Sequence, residues 1–118
     1  MNEELGDIPG LSTVYEDPNC RHVYHLYTLL WDAEVMGASR DDFMRALYRE
    51  EGIQAMVHYQ PAYLFSIFRQ RGYEAGLCPV AEKAFASVVN LPMHARLTHA
   101  DVRAMTEGIR RAIARTRG

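Results

Sequence analysis

Apolar residues recur along this chain in two periods, and the switches between them mark out the elements. Leu5 and Ile8 share one side of a short helical stretch over residues 1–8, which Pro9-Gly10 stops. This stretch has no N-cap of its own, so it reads as the tail of a longer helix. Residues 11–20 are a polar connector with a turn at Asp17-Pro18-Asn19. The run His22 to Trp31 is rich in β-branched and aromatic residues and apolar at both alternating sets of positions, the pattern of a central strand covered on both faces. Gly37-Ala38 reads as a loop. Ser39 with Asp42 then forms a shortened capping box ahead of Phe43, Ala46 and Leu47 at helical spacing. Gly52 closes that helix. Ile53, Ala55 and Val57 alternate with Gln54, Met56 and His58, predicting a second strand over 53–59.

Pro61 ends this strand, and residues 62–71 predict a short helix bearing Leu64, Phe65 and Phe68 before Gly72. Pro79 suits the first position of a further helix, which carries Ala81, Phe85, Val88 and Val89 on one side. Asn90-Leu91-Pro92 ends it, with room for a short extended piece. Thr98 and Asp101 cap a terminal helix whose stripe is Val102, Met105, Ile109, Ala112 and Ile113. Strand, helix and strand in succession make a two-layer unit, although the pattern leaves strand direction open. The expected fold is α/β (α+β): a two-layer sandwich with a small sheet of two or three strands, covered by four or five helices.

Composition narrows the functional classes. The 118 residues amount to one domain with a real core. A net charge of −2 calls for no polyanionic partner, so neither nucleic acid nor membrane is expected. Cys20 and Cys78 are too few and too far apart for a disulfide framework, which points to a reducing, cytoplasmic setting. No apolar run approaches the ~20 residues of a membrane span, and the acidic start lacks a signal core. The basic residues are almost all arginine; Lys83 is the single lysine.

Candidate chemistry is sparse. His22, His25, His58, His94 and His99 show no metal-ligand spacing, so no metal site is expected. Cys78 precedes a helix start, which favours a thiolate, but no catalytic motif surrounds it and an inert thiol is the stronger reading. Lys83 lies nearly opposite Phe85 on the helical wheel, the place of a surface lysine and a poor nucleophile. The arginines of the last helix suit its dipole and line no single stripe. The run His58 to Tyr63 differs from these: a strand end broken by proline gathers polar tips where α/β domains commonly form sites. A packed aromatic turn is its structural alternative.

The order of these segments resembles the C-terminal small domain of DegT/DnrJ/StrS-type aminotransferases, pyridoxal-phosphate enzymes of fold type I that aminate nucleotide-linked keto sugars. Asp7-Ile8-Pro9-Gly10 is similar to the end of the family's linking helix, and His22 to Tyr27 to the strand that opens its small domain. Ser39 to Phe43 through Glu51-Gly52-Ile53 resembles its helix-to-strand passage. His58-Tyr59-Gln60-Pro61 matches its His-Tyr-x-Pro, and Pro79-Val80-Ala81-Glu82 its Pro-x-Ala-Glu helix start. Leu91-Pro92 with Leu97-Thr98 matches its Leu-Pro ending, and residues 101–113 its last helix. In family members a histidine often follows two positions after that proline; here the position holds Tyr63.

The resemblance implies a single domain over 1–118, with 1–10 the end of a linking helix and 11–118 the small domain. It places the cofactor lysine, the ring-nitrogen aspartate and the phosphate-binding residues in a large domain outside this sequence. The expectation is therefore a detached domain without catalytic residues or bound cofactor of its own. Its intact parent would use pyridoxal phosphate, form a homodimer, and take an amino-acid donor and a nucleotide-sugar acceptor. His58, Tyr59 and Tyr63 would line the edge of the parent's site. The alternative is a non-catalytic, stand-alone binding module of the same fold, and a small hydrolase built on Cys78 is a weaker third.

Overall fold

The computed structural model describes residues 1–117. Its centre is a three-stranded antiparallel sheet in the order β1 (Leu11–Thr13), β2 (Tyr27–Trp31), β3 (Val88–Leu91). The register pairs Leu11 with Trp31, Tyr27 with Leu91 and Leu29 with Val89. Side chains alternate across a strand, so these six residues share one face. All six are buried, and with Phe43, Leu47, Ile109, Ala112 and Ile113 they form the core. The sheet is one layer and the helices packed on this face are the second.

The main helices are α3 (Arg40–Glu51) and α6 (His99–Arg117), which pack against each other over the core face. Ser39 caps α3 by accepting the Asp42 N–H at 3.1 Å. At the other end Gly52 adopts φ 67°, a left-handed turn that costs glycine least. The Ile53 N–H then reaches the Leu47 carbonyl at 3.1 Å as the chain leaves the helix. Phe43, projecting from α3, stacks on Trp31 of β2 with ring centroids 4.4 Å apart. Smaller helices α1 (Asn2–Leu5), α2 (Ala33–Met36), α4 (Ser66–Arg69) and α5 (Pro79–Ser87) complete the set, with a 3-10 turn at Ala62–Leu64. Arg40 ties α5 to α3: it hydrogen-bonds the Phe85 carbonyl and sits over the Phe85 ring, 5.3 Å from its centroid.

The architecture agrees with the expected small sheet in a two-layer α+β fold, and five details differ. Val88 and Val89, read as part of the helix after Pro79, belong to β3, because pairing with Leu30 and Leu29 of β2 takes these β-branched residues out of the helix. Leu11–Thr13, read as connector, forms β1, because pairing to β2 supplies hydrogen bonds that its own pattern does not announce. The predicted strand His22–Trp31 shrinks to Tyr27–Trp31, and its second face is only partly covered, with Thr28 half-buried and Leu30 exposed there. The predicted strand 53–59 makes a single bridge, Met56 to Asn90, at the outer edge of β3. The helices number six among the described residues instead of four or five, because the one-turn α2 adds to the predicted set, while the helix predicted over 62–71 shrinks to the 3-10 turn and the single turn of α4. Asp32 caps α2 by accepting from the Glu34 and Val35 N–H groups.

Candidate functional site

From Tyr48 to Val88 no residue is fully buried. This half of the chain leaves the core after α3, runs past β3, and returns through α5. His58 and Tyr59 lie where it departs. The two rings meet edge to face with centroids 4.6 Å apart, and the peptide bond between them is cis. His58 is half-buried, and its Nδ1 is shielded from solvent with no hydrogen-bond partner. It borders a cavity of about 160 Å³ with His25, Gln54 and Asn90 as polar walls and Met56, Leu91 and Met93 among the apolar ones. Tyr59 is 75% exposed and offers an aromatic face to solvent.

Asn90 is a site residue that the linear pattern passed over. It sits 2% exposed in β3 on the face opposite the core. Its Oδ1 accepts from the Thr28 hydroxyl at 2.6 Å, across the register that pairs those two residues. Its backbone exchanges hydrogen bonds with Met56 at 2.8 and 2.9 Å. Its signal in the sequence is a lone amide in the run Val88-Val89-Asn90-Leu91, which a buried strand tolerates only with partners.

Tyr63 is turned elsewhere. Its hydroxyl donates to Glu82 Oε1 at 2.5 Å and accepts the Cys78 N–H at 3.2 Å. Glu82 Oε1 also accepts the Gly76 N–H at 2.7 Å. Desolvation, reinforced by the carboxylate, pushes the Tyr63 phenol up to about 12. The Glu82 carboxyl is held below its usual range, first by the Tyr63 hydroxyl and then by the Gly76 amide. The structure thus brings His58 and Tyr59 together and binds Tyr63 to the start of α5. Tyr63 and Tyr59 are not among the residues lining the His58 cavity.

The remaining candidates stay apart. Lys83 is exposed on α5 and does not line the cavity beside His58. Cys20 and Cys78 are free, exposed thiols. No three His, Cys, Asp or Glu side chains converge as metal ligands among the described residues. No helix among them is long and apolar enough to cross a membrane. The cavity presents imidazoles and amides close to an exposed tyrosine.

Comparison with known proteins matches both the sequence and the shape. The chain is 31% identical over 104 residues to the spore coat polysaccharide biosynthesis protein SpsC of Bacillus subtilis, covering 87% of this chain and 27% of that protein. It is 35% identical over 98 residues to a pleiotropic regulatory protein of Geobacillus stearothermophilus, covering 82% of this chain and 24% of that one. Among solved structures, the aminotransferase TlmJ from Streptoalloteichus hindustanus superposes with a TM-score of 0.79 at 29% identity, over 97% of this chain and 29% of TlmJ. DesI, solved with its TDP-sugar product, superposes at 0.82 and 24% identity, a likeness of fold. The chain therefore spans less than a third of the length of these proteins. The model of the DegT/DnrJ/EryC1/StrS aminotransferase family matches residues 1–110, and by that match the chain belongs to this family.

Proposed function

We infer that this chain is the C-terminal small domain of a pyridoxal-phosphate-dependent aminotransferase acting on nucleotide-linked keto sugars, and that it has no activity alone. The observation that carries the reading is one of proportion: nearly the whole chain matches under a third of family enzymes in both sequence and fold. In the intact enzyme, residues 1–10 end a linking helix and the domain over 11–118 covers the edge of the sugar pocket. His58 and Tyr59 face that edge, and Tyr63 stands behind it through its contact with Glu82. The parent works in the cytoplasm as a homodimer.

Pyridoxal phosphate supplies the electron sink for amino transfer, held by a lysine amine, a ring-nitrogen carboxylate and an anion cradle. The residues present do not fit that group. Lys83 is exposed on α5 and is not among the residues lining the His58 cavity. The chain's own contribution is to orient a substrate edge with His58, Gln54 and Asn90 and to shield it from water.

The exposed apolar side chains of this half point to what covers it. Tyr59, Phe65, Ile67, Tyr73, Leu77 and Val80 are each 46% exposed or more, and a patch of this kind marks an interaction surface. The large domain of the parent, or its dimer partner, docks there. That same patch is what a stand-alone interaction module would use, and one experiment separates the readings. The purified chain is incubated with pyridoxal phosphate, reduced with borohydride and mapped by mass spectrometry; a large domain supplied in trans is then added with donor and keto sugar. No specific adduct on Lys83 is expected, and amino transfer only after the large domain is added. A saturable Lys83 adduct, or turnover by the chain alone, overturns the reading; no turnover and no binding with the large domain favours the module.

A further inference from the structure

Residues 65–80 are all exposed, so no burial holds the segment between Tyr63 and Cys78 in shape. Nor do its side chains anchor it: among the described residues, Arg69, Arg71 and Glu74 make no ion pair. What remains inside the segment is local. Backbone bonds build α4 and the turn that follows, such as Gly72 N–H to Arg69 at 3.0 Å, and Phe68 meets Tyr73 edge to face at 6.0 Å. A loop of this length whose ends meet resembles the Ω type, a class often functional, but among the described residues one aromatic pair is all that packs inside it. Its ends are joined at one place, where Tyr63, Glu82, Gly76 and Cys78 meet through three hydrogen bonds of 2.5, 2.7 and 3.2 Å.

We propose that Tyr63 and Glu82 form a clasp that pre-orders loop 64–77, so that Tyr63 is a positioning residue and not a substrate contact. The chemistry suits the task. A phenol donating to a carboxylate is a charge-assisted bond, stronger than a neutral pair. The same carboxylate oxygen receives the Gly76 amide, and the phenol oxygen receives the Cys78 amide, so one side-chain pair secures two backbone groups of the returning strand of the loop. Glu82 lies in the first turn of α5, where a carboxylate also complements the helix dipole. With the ends fastened, Phe65, Ile67, Tyr73 and Leu77 are held in fixed relation before any partner arrives. Ordering the loop in advance removes that entropy cost from docking. The importance of the loop for docking rests on the function proposed above; the clasp itself does not.

The test uses the 118-residue chain without cofactor or partner, so it fails or succeeds independently of the aminotransferase reading. Amide hydrogen exchange is compared among wild type, Tyr63→Phe, Glu82→Gln and the double variant. Tyr63→Phe is expected to speed exchange across 64–78 by about tenfold or more, the equivalent of one lost charge-assisted bond. Peptides from α3 and α6 keep wild-type rates. Glu82→Gln, whose amide oxygen still accepts, has a smaller effect, and the double variant exceeds Tyr63→Phe little. A second readout is the alkaline titration of tyrosine absorbance, where Tyr63→Phe removes one late-ionising phenol. Unchanged exchange in loop 64–78, an equal acceleration everywhere, or additive effects of the two substitutions would each overturn the proposal.

Discussion

At the scale of single residues, Glu51 shows how much one carboxylate can join. Its side chain is 7% exposed at the end of α3, where it receives Arg111 Nη2 at 2.8 Å and Arg115 Nη1 at 2.6 Å from α6. The Arg111 bond, and then that of Arg115, holds its pKa below the ordinary 4.5. The sign follows from linkage. Unfolded chains bind the proton more readily, so the pair stabilises the fold fully above pH 4.5 and loses that contribution as pH falls through the depressed value. Glu51→Gln is therefore expected to be less stable than wild type at pH 7, with the gap closing on acidification. Urea unfolding at pH 7 and pH 3 checks this, and a gap independent of pH would refute it. Nothing in the linear order marks this triad, because its members stand 60 and 64 positions apart. His58 and Tyr59 were legible as a polar cluster at a proline break. The partners of Tyr63 were not, since a contact 19 positions away depends on how α5 returns.

At the scale of elements, the two long helices were read well, and the short helices and the strands poorly. Capping boxes at Ser39 and Thr98 and glycine at Gly52 are local chemistry, so α3 and α6 begin and end close to where the sequence puts them. Strands depend on what they pair with. Residues 53–58 alternate like a strand but find only Asn90 beside them, while Leu11–Thr13 pairs fully with β2. The α3–α6 seam contains a close approach at Gly108, where an added Cβ would stand 2.7 Å from Ile53 Cδ1. That atom is the tip of a flexible side chain. Gly108→Ala is expected to stay within about 1 kcal/mol of wild type, helix propensity offsetting the shift of Ile53. Gly108→Leu, which must part the helices, is expected to lose about 1–3 kcal/mol. Thermal unfolding of both variants tests the seam, and equal stabilities would show that it is loose.

At the scale of the whole molecule, the shape departs from a sphere. The radius of gyration is 15.6 Å, against about 13.5 Å for a compact chain of this length. The excess is consistent with the loop half, which carries exposed apolar residues away from the core. Concentration-dependent self-association is the expected consequence, and sedimentation velocity measures it. Replacing Phe65 and Leu77 together by serine should weaken it. A clean wild-type monomer at high concentration would mean that the patch is too weakly apolar to associate. The sequence by itself determined the capped helices α3 and α6, the two-layer α+β class and the family, because caps, periodicity and motif order act locally. Only the tertiary structure decided which extended segments became strands, which acid the α6 arginines hold, and that Tyr63 faces Glu82. Those outcomes turn on long-range pairing and packing, whose free energy is set by neighbours that no single stretch of chain contains.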